Sequence, residues 1–175
     1  MKELVIISGK GGTGKTSVTA SLAALAGRTV ICDCDVDAAD LYLVLAPEIR
    51  KEHEFRSGHQ AVINRDDCVD CGVCADLCRF GAIRMEEKVD SDALFAIDSL
   101  SCEGCGVCVH FCPQNAIDFP ESLCGTWFVS DTRLGPMVHA RLGAAAENSG
   151  KLVTTVRQEA HRLAETGDYE WVIVD

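Results

Sequence analysis

The sequence predicts an α/β protein whose doubly wound, mostly parallel sheet is interrupted by an inserted α+β domain. Short apolar runs alternate with helix-compatible stretches near both ends of the chain, and a glycine-rich turn joins the first run to the first helix. Between these ends lies an acidic, cysteine-rich stretch with an internal repeat spaced at 34 residues. We therefore expect one domain formed by residues 1–60 and 121–175, and a second domain inserted at residues 61–120.

The composition excludes several classes of protein. The chain has 175 residues, of which 47% are hydrophobic, so it can bury a sizeable core. Its formal net charge of −11 argues against binding nucleic acid through the phosphates. The apolar runs are shorter than the ~18 residues that span a bilayer, and the first is too short for a secretory signal. We expect a cytoplasmic protein with no nucleic-acid partner and no membrane segment in this chain.

The N-terminal elements follow in the order strand, loop, helix, strand. Residues 4–7 are a continuous apolar run typical of a buried strand, and residues 29–32 are a second one. Between them, residues 15–26 favour a helix that Gly27 terminates. The face of this helix that we expect to be buried carries Val18, Leu22 and Leu25.

The C-terminal elements resume the α/β pattern after a polar stretch at 51–59, which we expect to be a linker, and after the inserted domain. Residues 126–129 and 171–174 read as strands. The turn at 132–136 is a candidate loop for contact with a partner. Because the chain stops at a strand end, we expect an incomplete sheet and a fragment of a longer protein. The helix predicted at 153–165 has an apolar face that carries Val156, Ala160, Leu163 and Ala164.

The first loop carries a phosphate-binding motif. Residues 9–16 fit G-x-x-x-x-G-K-[ST] between a predicted strand and a predicted helix. Glycines let backbone N–H groups surround a phosphate, Lys15 reaches the β- and γ-phosphates, and the Thr16 hydroxyl suits Mg²⁺. The alternative is a glycine-rich turn with a chance lysine. We expect nucleotide contacts from Gly9, Lys10, Gly11, Gly12, Thr13, Gly14, Lys15, Thr16 and Ser17.

Eight of the eleven cysteines follow the internal repeat. In a chain without a secretory signal, this number indicates metal ligands in a reducing compartment rather than disulfides. The eight form two runs of C-x₂-C-x₂-C-x₃-C, a spacing that resembles bacterial two-cluster ferredoxins. Nine residues recur 34 positions later: Ile63, Cys68, Cys71, Gly72, Val73, Cys74, Cys78, Ala82 and Ile83 match Ile97, Cys102, Cys105, Gly106, Val107, Cys108, Cys112, Ala116 and Ile117.

The spacing of each run predicts the ligands of a 4Fe–4S cluster. Three thiolates hold three corners, while the fourth cysteine of the run reaches the other cluster. Zinc, the alternative, favours paired C-x₂-C motifs about 12–20 residues apart. The first run is followed by Arg79 where ferredoxins commonly have proline, whereas the second keeps Pro113. We expect one cluster on Cys68, Cys71, Cys74 and Cys112, and the other on Cys102, Cys105, Cys108 and Cys78.

Three cysteines remain outside the runs. Cys32 falls in a predicted strand and is expected in the core, and Cys124 is expected to be structural rather than a ligand. Cys34 lies beside several aspartates, where redox sensitivity is an open alternative. The five histidines show no ligand spacing, and we assign them no role.

Lys10 extends the phosphate motif to K-G-G-x-G-K-T, which resembles the deviant Walker A motif of the MinD/ParA/Mrp-type P-loop ATPases, a class that includes the nitrogenase iron protein. The resemblance implies a P-loop NTPase sheet, Mg²⁺·ATP, and a nucleotide-dependent homodimer in which Lys10 crosses the interface. It makes Lys10, Lys15 and Asp35 catalytic, with Asp33 behind Asp35. It gives Mg²⁺ contacts, direct or through water, to Thr16, Asp35 and Asp175. The alternatives are a solvated Lys10 and an acidic surface turn at Asp35.

The whole chain resembles a MinD/Mrp-type ATPase with an inserted ferredoxin, and this resemblance supports three functional hypotheses. In the first, Mg²⁺·ATP closes the dimer and gates electron transfer between the clusters and a redox donor or acceptor protein. In the second, ATP controls the assembly or transfer of iron–sulfur clusters. In the third, the protein is a positioning ATPase with a redox sensor. The preference for ATP over GTP rests on the resemblance alone.

Overall fold

The computed structural model describes residues 1–10, 12–36, 40–88, 91–143 and 149–175. The chain forms two compact units, Met1–Phe55 with Leu123–Asp175 (the discontinuous unit) and Arg56–Ser122 (the inserted unit). In chain order the elements are β1 Lys2–Val5, α1 Lys15–Ala26, β2 Thr29–Cys32, α2 Leu41–Leu45, β3 Glu48–His59, β4 Val62–Ile63, α3 Val73–Leu77, β5 Ile83–Lys88, β6 Ser91–Ile97, α4 Val107–His110, β7 Ile117–Asp118, β8 Glu121–Thr132, β9 Gly135–Leu142, α5 Ser149–Thr166 and β10 Trp171–Val174.

A mixed six-stranded sheet organises the discontinuous unit. Its strand order is β1-β10-β2-β9-β8-β3. The pairs β1/β10, β10/β2 and β2/β9 are parallel, whereas β8 and β9 form an antiparallel hairpin. The parallel strands β10 and β2 are aligned so that Val174 pairs with Cys32, which brings Asp175 and Asp33 together at the carboxyl ends of the two strands.

Helices cover both faces of the central strands. On one face, α5 packs Val156 and Ala160 against Val30 and Cys32. On the other face, α1 and α2 pack against Ile31 and neighbouring apolar residues. Alternate residues of β2 thus point to opposite layers. This double coverage explains why β2 and β10 are uninterrupted apolar runs.

Two N-terminal predictions about burial were wrong. Val18 and Leu25 of α1 are 50% and 83% exposed, and the buried residues of the helix are Thr19, Ala20 and Ala23. Small side chains on that face let the helix lie close to the sheet. The first strand begins two residues earlier than predicted and is not buried, since it is an edge strand; Val5 is 46% and Ile7 86% exposed.

The predicted linker at 51–59 was also wrong, because these residues belong to the edge strand β3. Most of this strand is exposed and charged, which is how natural sheets protect an edge from further pairing. The strand predicted at 126–129 lies inside the longer β8. The Gly27 stop is confirmed by its positive φ of 77°, and the apolar face of α5 is confirmed by the burial of Val156, Ala160 and Ala164.

The turn predicted at 132–136 connects β8 to β9. Thr132 Oγ1 donates a hydrogen bond to the Gly135 carbonyl (2.7 Å) and accepts one from the Leu134 amide (3.1 Å). Gly135 has a φ of 134°, and a Cβ at this position would come within 2.3 Å of the Thr29 carbonyl oxygen. Both backbone conformation and space therefore require glycine here.

The inserted unit repeats one small motif. The short strands β4 and β7 pair antiparallel, β5 and β6 form a hairpin, and the helices α3 and α4 pack against each other. The repeated pairs Ala82-Ile83 and Ala116-Ile117 are buried in both halves. Across the parts of the chain that the structure describes, no helix is long and apolar enough to cross a membrane.

Candidate functional site

The loop between β1 and α1 presents free backbone donors at a helix start. Gly12 and Gly14 adopt left-handed conformations with φ of 76° and 86°. Gly14 is the N-cap of α1 and offers no side-chain cap, so the first N–H groups of the helix remain available for an anion. Lys10 and Ser17 are exposed beside the loop, and the Thr13 hydroxyl donates to the Lys10 carbonyl (3.1 Å). Gly11 lies outside the described residues.

Lys15 is held between two carboxylates. Its Nζ lies 3.4 Å from Asp35 Oδ2 and 3.6 Å from Asp175 Oδ2. Burial of Lys15 opposes its charged form, but attraction to Asp175 and Asp35 outweighs that cost and raises the pKa of Lys15. The amine therefore stays protonated, and it balances part of the negative charge at this end of the sheet.

Asp175 is a buried acid that contacts helix α1. It accepts hydrogen bonds from Thr16 Oγ1 (3.3 Å) and from Thr19 Oγ1 (2.5 Å). Thr19 was not among the predicted site residues. It lies one helical turn beyond Lys15 and so projects from the same face of α1 as the loop residues. A threonine four residues after the motif lysine is the signal that could have indicated it.

Asp33 lies behind Asp35 and is 1% exposed. Its Oδ1 accepts a hydrogen bond from the Asp35 amide (3.1 Å), while Oδ2 has no hydrogen-bond partner among the described residues. Burial raises the pKa of Asp33 to about 7, and the negative charges of Asp175 and Asp35 act in the same direction. Asp33, Asp35 and Asp175 thus bring three acidic side chains to the end of the sheet where Lys15 is the neighbouring base.

The eight repeated cysteines of the inserted unit surround two separate cavities. In each cavity, three cysteines come from one run and the fourth comes from the other run. Apolar side chains form most of the remaining walls, including Ile63 and Phe95 in one cavity and Ala61 and Ile97 in the other. The first cavity is lined by Cys68, Cys71, Cys74 and Cys112, and the second by Cys102, Cys105, Cys108 and Cys78.

Glycines shape the same turn beside each cavity. Gly72 and Gly106 precede α3 and α4 with φ of 79° and 75°. An aromatic ring covers each of them, because a Cβ would lie 3.3 Å from Phe95 at the first and 3.4 Å from Phe119 at the second. The tight turns direct the thiols that precede and follow each glycine towards the cavity.

The two cavities differ in their charged lining residues, since Asp70 lines the first and Glu103 lines the second. Asp70 lines the first cavity with a φ of 49°, and the position 34 residues later is Gly104 with a φ of 59°. Asp70 Oδ1 lies 3.8 Å from Cys68 Sγ, accepts a hydrogen bond from the Phe95 amide (3.1 Å) and is 3.7 Å from the Arg65 guanidinium. A Cβ at Gly104 would come within 2.1 Å of the His59 carbonyl oxygen, so the second half cannot carry an aspartate there.

The environments of the individual thiols are similar in the two halves. Burial raises the pKa of Cys74 and, in the same way, that of Cys108. Cys71 and Cys105 are exposed. Arg79, which replaces the usual proline, places its guanidinium 4.7 Å from the centre of the Phe80 ring.

The cysteines outside the runs lie in the discontinuous unit. Cys32 and Cys124 are buried in the core layer under α5, as predicted, and Cys34 is partly buried beside them.

Considering the described residues alone, no three His, Cys, Asp or Glu side chains are grouped around a position for a single metal ion.

Comparison with known proteins identifies the inserted unit. Residues 61–119 match the family model of the 4Fe-4S dicluster domain. This segment is a ferredoxin-like iron–sulfur domain. The match indicates an electron-transfer type of role for it.

One relative is an uncharacterized protein of Methanocaldococcus jannaschii, which is 44% identical over 84 residues. The aligned region is 46% of this chain and 30% of the relative, so the chain spans less than a third of the length of that protein.

Proposed function

We propose that the protein is an ATPase that couples the binding of Mg²⁺·ATP and the closure of a homodimer to electron transfer through two 4Fe–4S clusters. The observation that carries the proposal is the division of eight cysteines between two cavities, four to each, in a chain whose helix α1 also begins at a glycine-rich loop with an uncapped N-terminus. The cytoplasm, where thiols remain reduced, is the compartment that suits such a protein.

The donor sets fit the clusters. Four thiols line each cavity, and thiolates are the ligands that iron–sulfur clusters require. When bound, each cluster supplies a one-electron acceptor and donor. Apolar side chains shield part of each cavity from water, and the cysteine that each run supplies to the other cavity ties the two halves of the unit together. The ligands proposed are Cys68, Cys71, Cys74 and Cys112 for one cluster, and Cys102, Cys105, Cys108 and Cys78 for the other.

The phosphate loop and the acidic strand ends fit a magnesium nucleotide. The uncapped start of α1 supplies backbone donors, and Lys15 supplies the positive charge for the β- and γ-phosphates. Thr16 and Asp175 would hold Mg²⁺ directly or through water, since both are oxygen donors within 3.3 Å of each other. The Asp33 carboxylate accepts a hydrogen bond from the Asp35 amide and so holds Asp35 in position. Asp35 would then orient the attacking water.

The exposure of two ligands favours a second candidate function. Cys71 and Cys105 are exposed, so an acceptor protein could reach one sulfur of each cluster. This feature fits a carrier that delivers clusters under the control of ATP. Retention of the clusters during nucleotide turnover distinguishes the electron-transfer protein from the carrier.

The test is a combined measurement of iron and nucleotide on the protein purified without oxygen. We expect about eight irons per chain and saturable binding of ATP that requires Mg²⁺. Lys15→Ala should abolish nucleotide binding and keep the iron, whereas Cys74→Ser should lower the iron content and keep nucleotide binding. A wild-type protein that holds its iron but fails to bind ATP or GTP would overturn the proposal.

A further inference from the structure

Cys32 and Cys34 form a close pair of thiols outside the iron–sulfur domain. Cys32 ends β2 and is fully buried, and Cys34, two residues later, is partly buried. Their Sγ atoms lie 3.5 Å apart. Residues i and i+2 of an extended chain point to the same side, which explains why the two sulfurs meet.

The backbone around the pair is fixed by the neighbouring strands. The Asp33 amide donates to the Val138 carbonyl (2.9 Å), the Asp175 amide donates to the Cys32 carbonyl (2.9 Å), and the Cys34 amide donates to the Asp175 carbonyl (3.3 Å). The two thiols face the core layer under α5. Asp33 lies between them in the sequence, so its side chain points to the opposite side, towards Lys15 and the acidic strand ends.

We propose that Cys32 and Cys34 are a reversible modification site, at which a low-molecular-weight disulfide converts the two thiols into an intramolecular disulfide and so weakens nucleotide binding at the phosphate loop. The site itself is independent of the function proposed above. Only its effect on nucleotide binding rests on that function.

The reaction is a thiol–disulfide exchange in two steps. The Cys34 thiolate attacks one sulfur of the oxidant RS–SR, expels RS⁻ and forms a mixed disulfide. Cys32 then loses its proton, and its sulfur attacks Cys34 Sγ and expels the second RS⁻. Two electrons pass from the cysteines to the oxidant, which leaves as two thiols.

The environment favours Cys34 as the attacking sulfur. Cys34 is partly exposed, whereas Cys32 is buried at the end of β2, so a small oxidant reaches the Cys34 sulfur first. The Cys32 sulfur lies 3.5 Å away and is therefore in place to attack the mixed disulfide from within the protein.

Closing the disulfide must disturb the acidic site. The sulfurs lie 3.5 Å apart and have to approach to about 2 Å. Only Asp33 separates the two cysteines, and its amide is bonded to Val138. A shift of this peptide changes the position of the Asp33 carboxylate, which accepts the Asp35 amide and so sets Asp35 beside Lys15.

The first test detects the disulfide directly. The protein with its clusters, purified without oxygen, is treated with oxidised glutathione, alkylated and digested with trypsin. The peptide of residues 29–50 contains both Cys32 and Cys34 and no other cysteine. We expect this peptide to lose two hydrogen atoms, and dithiothreitol to restore them, while the visible absorbance of the clusters is retained. Alkylation of both cysteines, or glutathione left on Cys34 alone, would overturn the proposal.

The second test measures the consequence with matched variants. Oxidation should weaken binding of a fluorescent ATP analogue by about tenfold, the effect of losing one or two polar contacts. Cys34→Ser should bind the analogue equally well with and without oxidant, and Cys124→Ser, which removes another buried thiol, should respond like the wild type. If the disulfide forms and affinity is unchanged, the link to the phosphate loop is wrong. If the reduced wild type does not bind the analogue at all, the proposed function fails, whereas the peptide result still decides the modification site.

Discussion

At the scale of single residues, burial decides the charge state of the ionisable groups. Lys15 keeps its charge because two carboxylates lie within 3.6 Å. His139 is the opposite case, because it is 8% exposed and its ring contacts the Ser130 hydroxyl (2.9 Å) and stacks on Phe128. Burial, together with repulsion from Arg141, lowers the pKa of His139 to about 4.

The lowered pKa of His139 predicts that the folded protein loses stability in mild acid. The folded protein holds His139 neutral down to about pH 4, whereas the unfolded chain protonates it near 6.5. As the pH falls from about 6.5 to about 4, proton uptake by the unfolded chain should lower the free energy of unfolding by up to about 3 kcal/mol. His139→Gln, which keeps a polar partner for Ser130, should remove this decline.

Urea unfolding at pH 7 and pH 4.5, followed by tryptophan fluorescence, measures the difference. Both tryptophans, Trp127 and Trp171, lie in the discontinuous unit, so the signal reports that unit. An equal loss of stability in wild type and variant would contradict the assignment.

The position of Asp70 predicts a local effect on the reduction potential of one cluster. Its carboxylate lies beside Cys68 and lines the first cavity, where it disfavours an added electron, whereas the second half carries Gly104 at the matching position and Glu103 in its cavity wall. Asp70→Asn should raise the midpoint potential of one cluster and leave the other unchanged. A redox titration followed by EPR resolves the two. Asp118→Asn, an exposed aspartate outside both cavity walls, is the control, and a shift of both potentials in the Asp70 variant would contradict the local effect.

At the scale of elements, packing decides what the sequence pattern leaves open. The strands β2 and β10 were predictable because both faces are buried, which produces unbroken apolar runs. The strand β3 was not predictable, since a polar edge strand has the composition of a linker. The helix α1 has apolar residues around its whole circumference, and periodicity does not reveal that alanine and threonine face the sheet.

The face of α1 that the structure buries predicts unequal effects on the free energy of unfolding for two inverse substitutions, Ala23→Leu and Leu25→Ala. Ala23 is 1% exposed and packs against the sheet, whereas Leu25 is 83% exposed. Ala23→Leu should lower the free energy of unfolding by about 1–3 kcal/mol through overpacking, and Leu25→Ala should change it by less than about 0.5 kcal/mol. Alanine and leucine have similar helix propensities, so the comparison isolates packing. Thermal or urea unfolding checks both substitutions. A larger loss of stability in Leu25→Ala than in Ala23→Leu would contradict the structure and favour the buried face predicted from the sequence.

At the scale of the whole molecule, repeats and motifs can be recognised in the sequence more readily than the side-chain contacts that form when the chain folds. The resemblance of the cysteine spacing to that of bacterial ferredoxins was enough to group the eight repeated thiols, because ligands that wrap one compact group must recur at fixed intervals. Sequence did not reveal Thr19 beside Asp175 or the contact between Cys32 and Cys34, because both depend on which strands become neighbours and how side chains orient. The family match covers residues 61–119 and does not extend to the glycine-rich loop between β1 and α1.

The proposed role of Lys10 predicts a homodimer that forms only when nucleotide is bound. It is exposed in the loop between β1 and α1, where, under the proposed function, it would reach a nucleotide bound to a second copy. The wild type should elute as a dimer with Mg²⁺ and a slowly hydrolysed ATP analogue and as a monomer without them. Lys10→Ala should bind the analogue but stay monomeric, as size-exclusion chromatography with light scattering would show. A variant that still dimerises would remove Lys10 from the interface.

The most direct test of the central claim is the EPR spectrum of the dithionite-reduced clusters, recorded before and after addition of Mg²⁺·ATP to the protein purified without oxygen. Coupling between nucleotide binding and electron transfer predicts a changed line shape or midpoint potential, with the iron content retained and with no change in Lys15→Ala. Unchanged spectra, accompanied by loss of clusters to an apo-acceptor protein, would contradict that coupling and favour the carrier.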